Sequence, residues 1–302
     1  MLTALVGAND GAGDWHIAVR SGGHSMGAIS NIAQGVTIDL TLLNSTTYDE
    51  ATNIASIQPG ARWKDAFADL DEYGVTATGG RDGGVGVGGF LLGGGMSFFS
   101  GRTGFGCDSI VNYEVVLADG IIVNANSTSN PDLWRALKGG ASNFGIVTRF
   151  DIEAIPAHKM YHDIRFISSQ YSDTVVDTVA AFTDHDDSVA DDALVTFFSH
   201  NATVSPDIYI GMIHVNSQGN ANSSAVFNEV RNVPTMLNIT NYRTMSEVAE
   251  SSQVPPGSRF VLISPRLLIA LFSRLTMVQI QLSDPYLSQR PRISPPMRRH
   301  LC

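Results

Sequence analysis

The chain has 302 residues, 43% of them hydrophobic and 16% charged, with a formal net charge of −10. Such a balance describes a globular protein with a sizeable core, arranged as one large domain or two smaller ones. The negative charge argues against nucleic acid and anionic membranes as partners. The longest apolar stretch, residues 261–280, is interrupted by Pro265, Arg266 and Arg274 and so is no spanning helix.

In chain order, residues 2–6 read as the end of a helix closed by Gly7-Ala8-Asn9-Asp10-Gly11, without the charged start and long apolar segment of a leader peptide. Ile17-Ala18-Val19 is a β-prone run that feeds into Arg20-Ser21-Gly22-Gly23-His24-Ser25. Paired glycines let the backbone enter φ > 0 and bring amides close to a ligand. Arg20 adds a fixed charge, and Ser21 and Ser25 add hydroxyls. The stretch is a candidate phosphate cradle with His24 at its rim, although a Gly-Gly turn also serves simply as a turn. Residues 35–40 and 53–58 read as strands, and residues 61–70 as a helix with Ala66, Phe67 and Leu70 on one face. A glycine-dense segment, residues 79–95, follows. Glycine costs backbone entropy, so this density implies backbone that hugs something flat or anionic.

Residues 108–118 form a strand that turns at Asp119-Gly120 into residues 121–123. Asn130-Pro131 opens a helix, Asn as its N-cap and Pro in its first turn, which ends at Gly139-Gly140. Residues 144–152 are a strand, and Pro156 closes this half. Beyond it, strands at 161–166, 193–199 and 207–215 and helices at 173–182 and 221–230 give the pattern of an α+β unit with an antiparallel sheet. The acids Asp184, Asp186, Asp187, Asp191 and Asp192 read as a solvated loop rather than a metal site. Residues 258–302 hold seven arginines, no lysine and one acid, a basic composition unlike the rest of the chain. Five N-glycosylation sequons, at Asn44, Asn126, Asn201, Asn222 and Asn238, permit glycosylation in a secreted protein. Cys107 and Cys302 allow at most one bridge, and Cys107 reads as a buried small hydrophobe.

Gly84-Val85-Gly86-Val87-Gly88-Gly89 formally matches the G-x-G-x-x-G dinucleotide fingerprint, with Asp108 near the distance of a ribose-binding acid. The three glycines at 93–95 make residues 90–95 a poor helix, so the helix N-terminus that a nicotinamide site needs is not expected.

Three motifs in this order carry a resemblance: Arg20-Ser21-Gly22-Gly23-His24-Ser25, then Val85-Gly86-Val87-Gly88-Gly89 with Gly93-Gly94-Gly95, then Asp132-Leu133-Trp134-Arg135-Ala136-Leu137-Lys138-Gly139-Gly140 running on to Asn143-Phe144-Gly145-Ile146-Val147-Thr148. Together they resemble the FAD-linked oxidases of the vanillyl-alcohol-oxidase superfamily, nearest to the berberine-bridge-enzyme-like group in its fungal form, over roughly the first half of the chain. The resemblance implies an α+β fold. A PCMH-type two-subdomain FAD-binding domain would span residues 1–156, without its first strand–helix unit. An incomplete antiparallel-sheet substrate domain would follow at 157–257, and the basic tail at 258–302 has no counterpart.

It further implies FAD as cofactor, held by Arg20, Ser21, Gly22, Gly23, His24, Ser25, Gly80, Val85, Gly88, Gly89, Gly94, Ser97, Gly145, Ile146 and Val147, with His24 as the covalent link to the flavin 8α-methyl. Members with a second link carry cysteine three residues before the valine of Val-Gly-x-Gly-Gly; Asp82 stands there, so one link is the most expected. Hydride would pass from a small-molecule substrate to flavin N5, with oxygen as acceptor. The catalytic base is not legible, nor is the Tyr-x-Asn type motif of the family's return segment. A non-catalytic FAD-binding fragment is the alternative, and the fold does not choose the substrate.

Overall fold

The computed structural model describes residues 16–25, 28–184, 187–201, 205–253 and 281–282. The expectations for residues 1–15 and for nearly all of 258–302 lie outside the described residues. Strand β1 (His16–Arg20) runs parallel to β2 (Gly35–Asp39), forming a separate two-stranded sheet. After these come β3 (Thr46–Asp49), β4 (Ile54–Ile57), helix α1 (Trp63–Asp71), β5 (Val75–Thr76), α2 (Val87–Leu92), α3 (Ser100–Thr103), β6 (Ile110–Val116), β7 (Ile122–Asn126), α4 (Pro131–Leu137), β8 (Ile146–Glu153) and β9 (Ile155–Pro156). An antiparallel sheet with order β3-β4-β8-β6-β7 is the frame of this half.

Helix α1 forms because Trp63, Ala66, Phe67 and Leu70 recur at helical spacing and bury one stripe completely. Behind it Ile57, Ile110, Tyr113, Leu137, Phe150 and Ile152 fill the core. The β6–β7 hairpin turns at Asp119-Gly120 as the sequence implies, with Gly120 N–H donating to Leu117 O at 2.9 Å. Asn130 departs from expectation. It adopts the left-handed conformation, and its side chain donates to Asn124 O rather than capping α4. Asn tolerates that conformation, and a turn geometry that reverses the chain after β7 outweighs the N-cap bond.

The second half adds β10 (Met160–Ser168), α5 (Ser172–Thr183), β11 (Asp192–His200), β12 (Tyr209–Asn216), α6 (Asn228–Arg231), β13 (Thr235–Arg243), α7 (Met245–Ser251) and β14 (Gln281–Leu282). Its sheet has the order β13-β10-β12-β11-β14, antiparallel except for β14 beside β11. Residues 221–230 are not one helix. Ser223 donates its hydroxyl to Asp192 and Ser224 accepts from Val226 N–H, so these side chains compete with helix formation and only Asn228–Arg231 closes an α-turn. Strand β13 and helix α7 were not expected. Asn and Thr are scattered through β13, and α7 is too short to show a period.

Apolar packing continues across residue 156. Met160, Val215, Met245, Val248 and Ala249 share one core with Trp63 and Tyr113. Helix α7 carries a capping box between Thr244 and Glu247 and returns to α1, where Thr244 Oγ1 donates to Asp71 Oδ2 at 3.1 Å.

The acidic run is only partly solvated. Asp192 opens β11 and is buried, accepting at one oxygen from His214 (2.9 Å), Asn216 (2.9 Å) and Ser223 (2.6 Å). Strand pairing drives it inward: the extended register that buries Thr196 and partly buries Leu194 leaves Asp192 on the same face. Burial alone would raise this carboxyl, but the three donors outweigh it and hold the group below the usual carboxylate range. A folded-state pKa below the unfolded one stabilises the fold above about pH 4, and that contribution is lost as pH falls through the folded value. Asp192→Asn is therefore expected to cost about 2 kcal/mol at neutral pH, with the gap to wild type in the urea midpoint shrinking as pH falls below about 4.

Candidate functional site

The two glycine bends meet. The bend after β1 and the segment leading into α2 cross at Gly22 and Gly86, so closely that a Cβ on Gly22 would lie 2.5 Å from Gly86 Cα. A Cβ on Gly86 would overlap the Gly22 backbone and come within 2.8 Å of Ser21 Oγ. Both neighbours are main chain, so neither can rotate away. Arg62 fastens the crossing: its Nη1 donates to Gly22 O at 2.7 Å and to Gly84 O at 2.5 Å. Ser21 Oγ donates to Pro59 O at 2.6 Å, and Arg62 also pairs with Gly86 as an isolated antiparallel bridge. Sequence reasoning missed Arg62 because the two carbonyls it bridges are far from it along the chain.

A short helix does form inside the glycine segment, contrary to expectation. Gly86 is its N-cap, and burial of Val87 and Leu91 offsets the poor helix propensity of Gly88 and Gly89. It stops at Gly93, and the preceding β5 is antiparallel to β9, so the parallel βαβ unit of a nicotinamide site is not built here. Ala141 N–H donates to Leu92 O at 3.0 Å, tying the end of α2 to the loop that leads into β8. All three motifs are thereby joined in a row: the His24 bend, α2, and the 139–147 loop.

The expected site residues divide by what the fold does with them. Arg20 is not a free charge for an anion. It pairs at 2.5 Å with Asp39 on β2, and its hydrogen bond, together with Thr41 N–H, holds the Asp39 carboxyl at about 2. Gly80 lies buried against the Trp63 indole, where a Cβ would stand 2.6 Å from Cδ1. Val85 and Gly88 have their amides taken up by Asp82 O and Pro59 O, and the Gly84 amide by Asp82 Oδ1. Gly145, at φ +144°, passes over Val116 O, which a Cβ would approach to 2.7 Å. Ile146 and Val147 enter β8 opposite Val116 and Val115, and the Val147 side chain is core. These residues shape the row rather than reach out of it.

Others are left facing outward. Gly89 is exposed and has open space where a Cβ would point, as has Gly94. Gly23, His24 and Ser25 are exposed on the same bend as the crossing. Ser97 Oγ is buried with no hydrogen-bond partner among the described residues. Buried hydroxyls rarely stay unpaired, so an orphan beside an open glycine row is a mark of a missing ligand. Bare backbone, a hydroxyl and an imidazole are the donor set that a flat, anionic dinucleotide needs, and the residues fit FAD on that ground.

Fold and site together define a flavin-binding protein. Residues 11–126 match the FAD binding domain family. The chain is 39% identical over 248 residues to the FAD-dependent monooxygenase sdcF of Emericella nidulans, covering 81% of this chain and 51% of that protein. It therefore spans about half the length of the curated relatives it matches. Among solved structures, 6-hydroxy-D-nicotine oxidase of Arthrobacter nicotinovorans superposes with a TM-score of 0.70 at 22% identity, over 83% of this chain and 56% of that one. The glucooligosaccharide oxidase of Acremonium strictum, whose FAD is described as 6-S-cysteinyl and 8α-N1-histidyl, superposes at 0.66 with 23% identity, over 83% and 53%. Residues 11–126 are thus an FAD binding domain, the chain is similar to fungal FAD-dependent monooxygenases, and its fold is shared with oxidases that include a berberine-bridge-enzyme-like protein.

Proposed function

We propose that this chain forms the cofactor-holding part of an FAD-dependent oxidase acting on an alcohol, sugar or secondary-metabolite substrate, with oxygen as acceptor. The observation that carries the reading is the Gly22–Gly86 crossing, where backbone meets backbone, with open space over Gly89 and Gly94 and with His24 exposed two residues past Gly22. Bound FAD supplies the hydride acceptor at N5. In this reading the chain's own residues do four things. Arg62 keeps the two bends in register, Gly89 and Gly94 admit the cofactor close to the main chain, and Ser97 Oγ meets a polar atom of it. His24 attaches to the 8α-methyl, for which the histidyl flavin of the Acremonium oxidase is a precedent. Asp82 stands where the partner cysteine of a second link would be, and its carboxylate accepts from Gly84 N–H at 2.7 Å. Residues 1–156 and 157–257 act in this reading as cofactor and substrate units, respectively.

His24→Ala tests the attachment. The wild-type chain is expected to stay yellow after acid precipitation, while the variant, altered only at an exposed residue, folds normally and releases all its flavin. Retained colour in the variant would refute the link. The alternative reading is a non-catalytic flavin-binding chain. Bound flavin with no peroxide from a panel of sugars, alcohols and aromatic metabolites supports it. Labelled oxygen appearing in a product would instead point to the monooxygenase chemistry named for the Emericella relative.

A further inference from the structure

Among the described residues, Arg81 is a cation without a counter-ion. It lies where the glycine segment passes the second sheet, its guanidinium carbon 5.8 Å from the centre of the Phe98 ring. Burial pushes its pKa down, and among the described residues no carboxylate or carbonyl accepts from it. Phe98 is buried in the core, and His162 of β10 meets it edge-on with centroids 6.3 Å apart. His162 is 2% exposed, and its Nδ1 is buried without a partner. The residue before Phe98 is Ser97, whose hydroxyl is the orphan described above. Two polar groups without a partner among the described residues, the Arg81 guanidinium and His162 Nδ1, thus flank one aromatic ring, and a third, Ser97 Oγ, belongs to the residue before it.

A partly desolvated cation lowers stability unless something neutralises it, and a ring at this distance returns only part of the lost hydration. Natural cores keep such groups where a ligand completes them. We propose that Arg81 and His162 hold an anionic oxygen, a carboxylate, phenolate or enolate, of a ring-bearing ligand packed at Phe98. The guanidinium supplies the charge, and the imidazole, kept neutral by burial and by Arg243 against the opposing pull of Asp163, supplies one ring N–H. The oxygen can come from a substrate or from the flavin itself. The proposal does not depend on oxidase turnover.

Salicylate and its uncharged analogue 2-hydroxybenzamide are the probes, titrated into the full chain with and without FAD. Salicylate is expected to raise the melting temperature of the wild-type chain, and 2-hydroxybenzamide to leave it unchanged. Arg81→Met should weaken salicylate binding about 30-fold or more, as expected for a lost charge-assisted bond. The same variant should raise the ligand-free melting temperature by about 2 to 4 °C, because it removes an unpaired, partly buried charge; a merely structural arginine would give a loss. His162→Phe should weaken binding less, by roughly fivefold, in line with one neutral hydrogen bond. Salicylate binding that persists with FAD in place assigns the oxygen to a substrate. Exclusion of salicylate by FAD, with FAD affinity itself falling in Arg81→Met, assigns it to the flavin. Equal binding of the two probes overturns the proposal, as does an Arg81→Met variant that melts lower and binds salicylate and FAD as wild type does.

Discussion

Gly86→Val is expected to abolish both the fold of the N-terminal half and flavin retention. The new side chain would be driven into the Gly22 backbone and Ser21 Oγ, and a clash with main chain on both sides costs more than about 4 kcal/mol. Gly22→Ala should be nearly as damaging, because its Cβ would strike Gly86 and lie 2.8 Å from Arg62 Nη1. The two changes act on one contact, so their effects in urea denaturation are expected to be strongly non-additive. Gly74→Ala is a fitting control. Its site is open, and only the strain of φ +68° opposes it, so a loss of about 1 kcal/mol is expected there. A Gly86→Val chain with the wild-type urea midpoint and its flavin would show that the bends do not cross.

Arg62→Gln is expected to separate the bends without a steric clash. The change removes charge-assisted bonds to Gly22 O and Gly84 O, each worth about 1.5–3 kcal/mol. The expected cost is about 3 kcal/mol of stability, with a fall in FAD affinity of at least about tenfold, since the amides and Cα surfaces along the row lose their register. Arg62→Lys keeps the charge but not the planar fork, so it should recover only part of either quantity. Calorimetric titration of FAD into the three proteins reads the effect. Equal affinities would mean that the bridge serves stability alone.

Much of the fold is visible in the chain because its signals are local. The stripe of Ala66, Phe67 and Leu70 announces α1, Asp119-Gly120 announces the hairpin, and the alternating runs around Ile164, Val195 and Ile213 announce three strands of the second sheet. The misses have equally physical causes. Strand β13 is an edge with polar residues on it, so its pairing with β10 supplies what its composition does not. Asp192 belongs to an acidic run, and only the register of β11 against β12 turns it toward His214. Arg20 looked free for a phosphate until the parallel β1–β2 pairing set Asp39 beside it.

By itself the sequence pointed to the class of the protein through the resemblance that its three ordered motifs carry, while glycine density alone implied only backbone that hugs something flat or anionic. The same resemblance implied His24 as the attachment point and, with Asp82 in the place of the cysteine, a single link at most. Only the tertiary structure decided which glycines open outward and which face their own chain. Gly22, Gly80, Gly86 and Gly88 are small because other protein atoms press on them, whereas Gly89 and Gly94 open outward. Nor could any local pattern show Arg62 clasping two distant carbonyls, or Arg81 left without a counter-ion among the described residues. A hydrogen bond between residues far apart along the chain leaves no periodicity, and the absence of a partner is a property of the whole packed molecule.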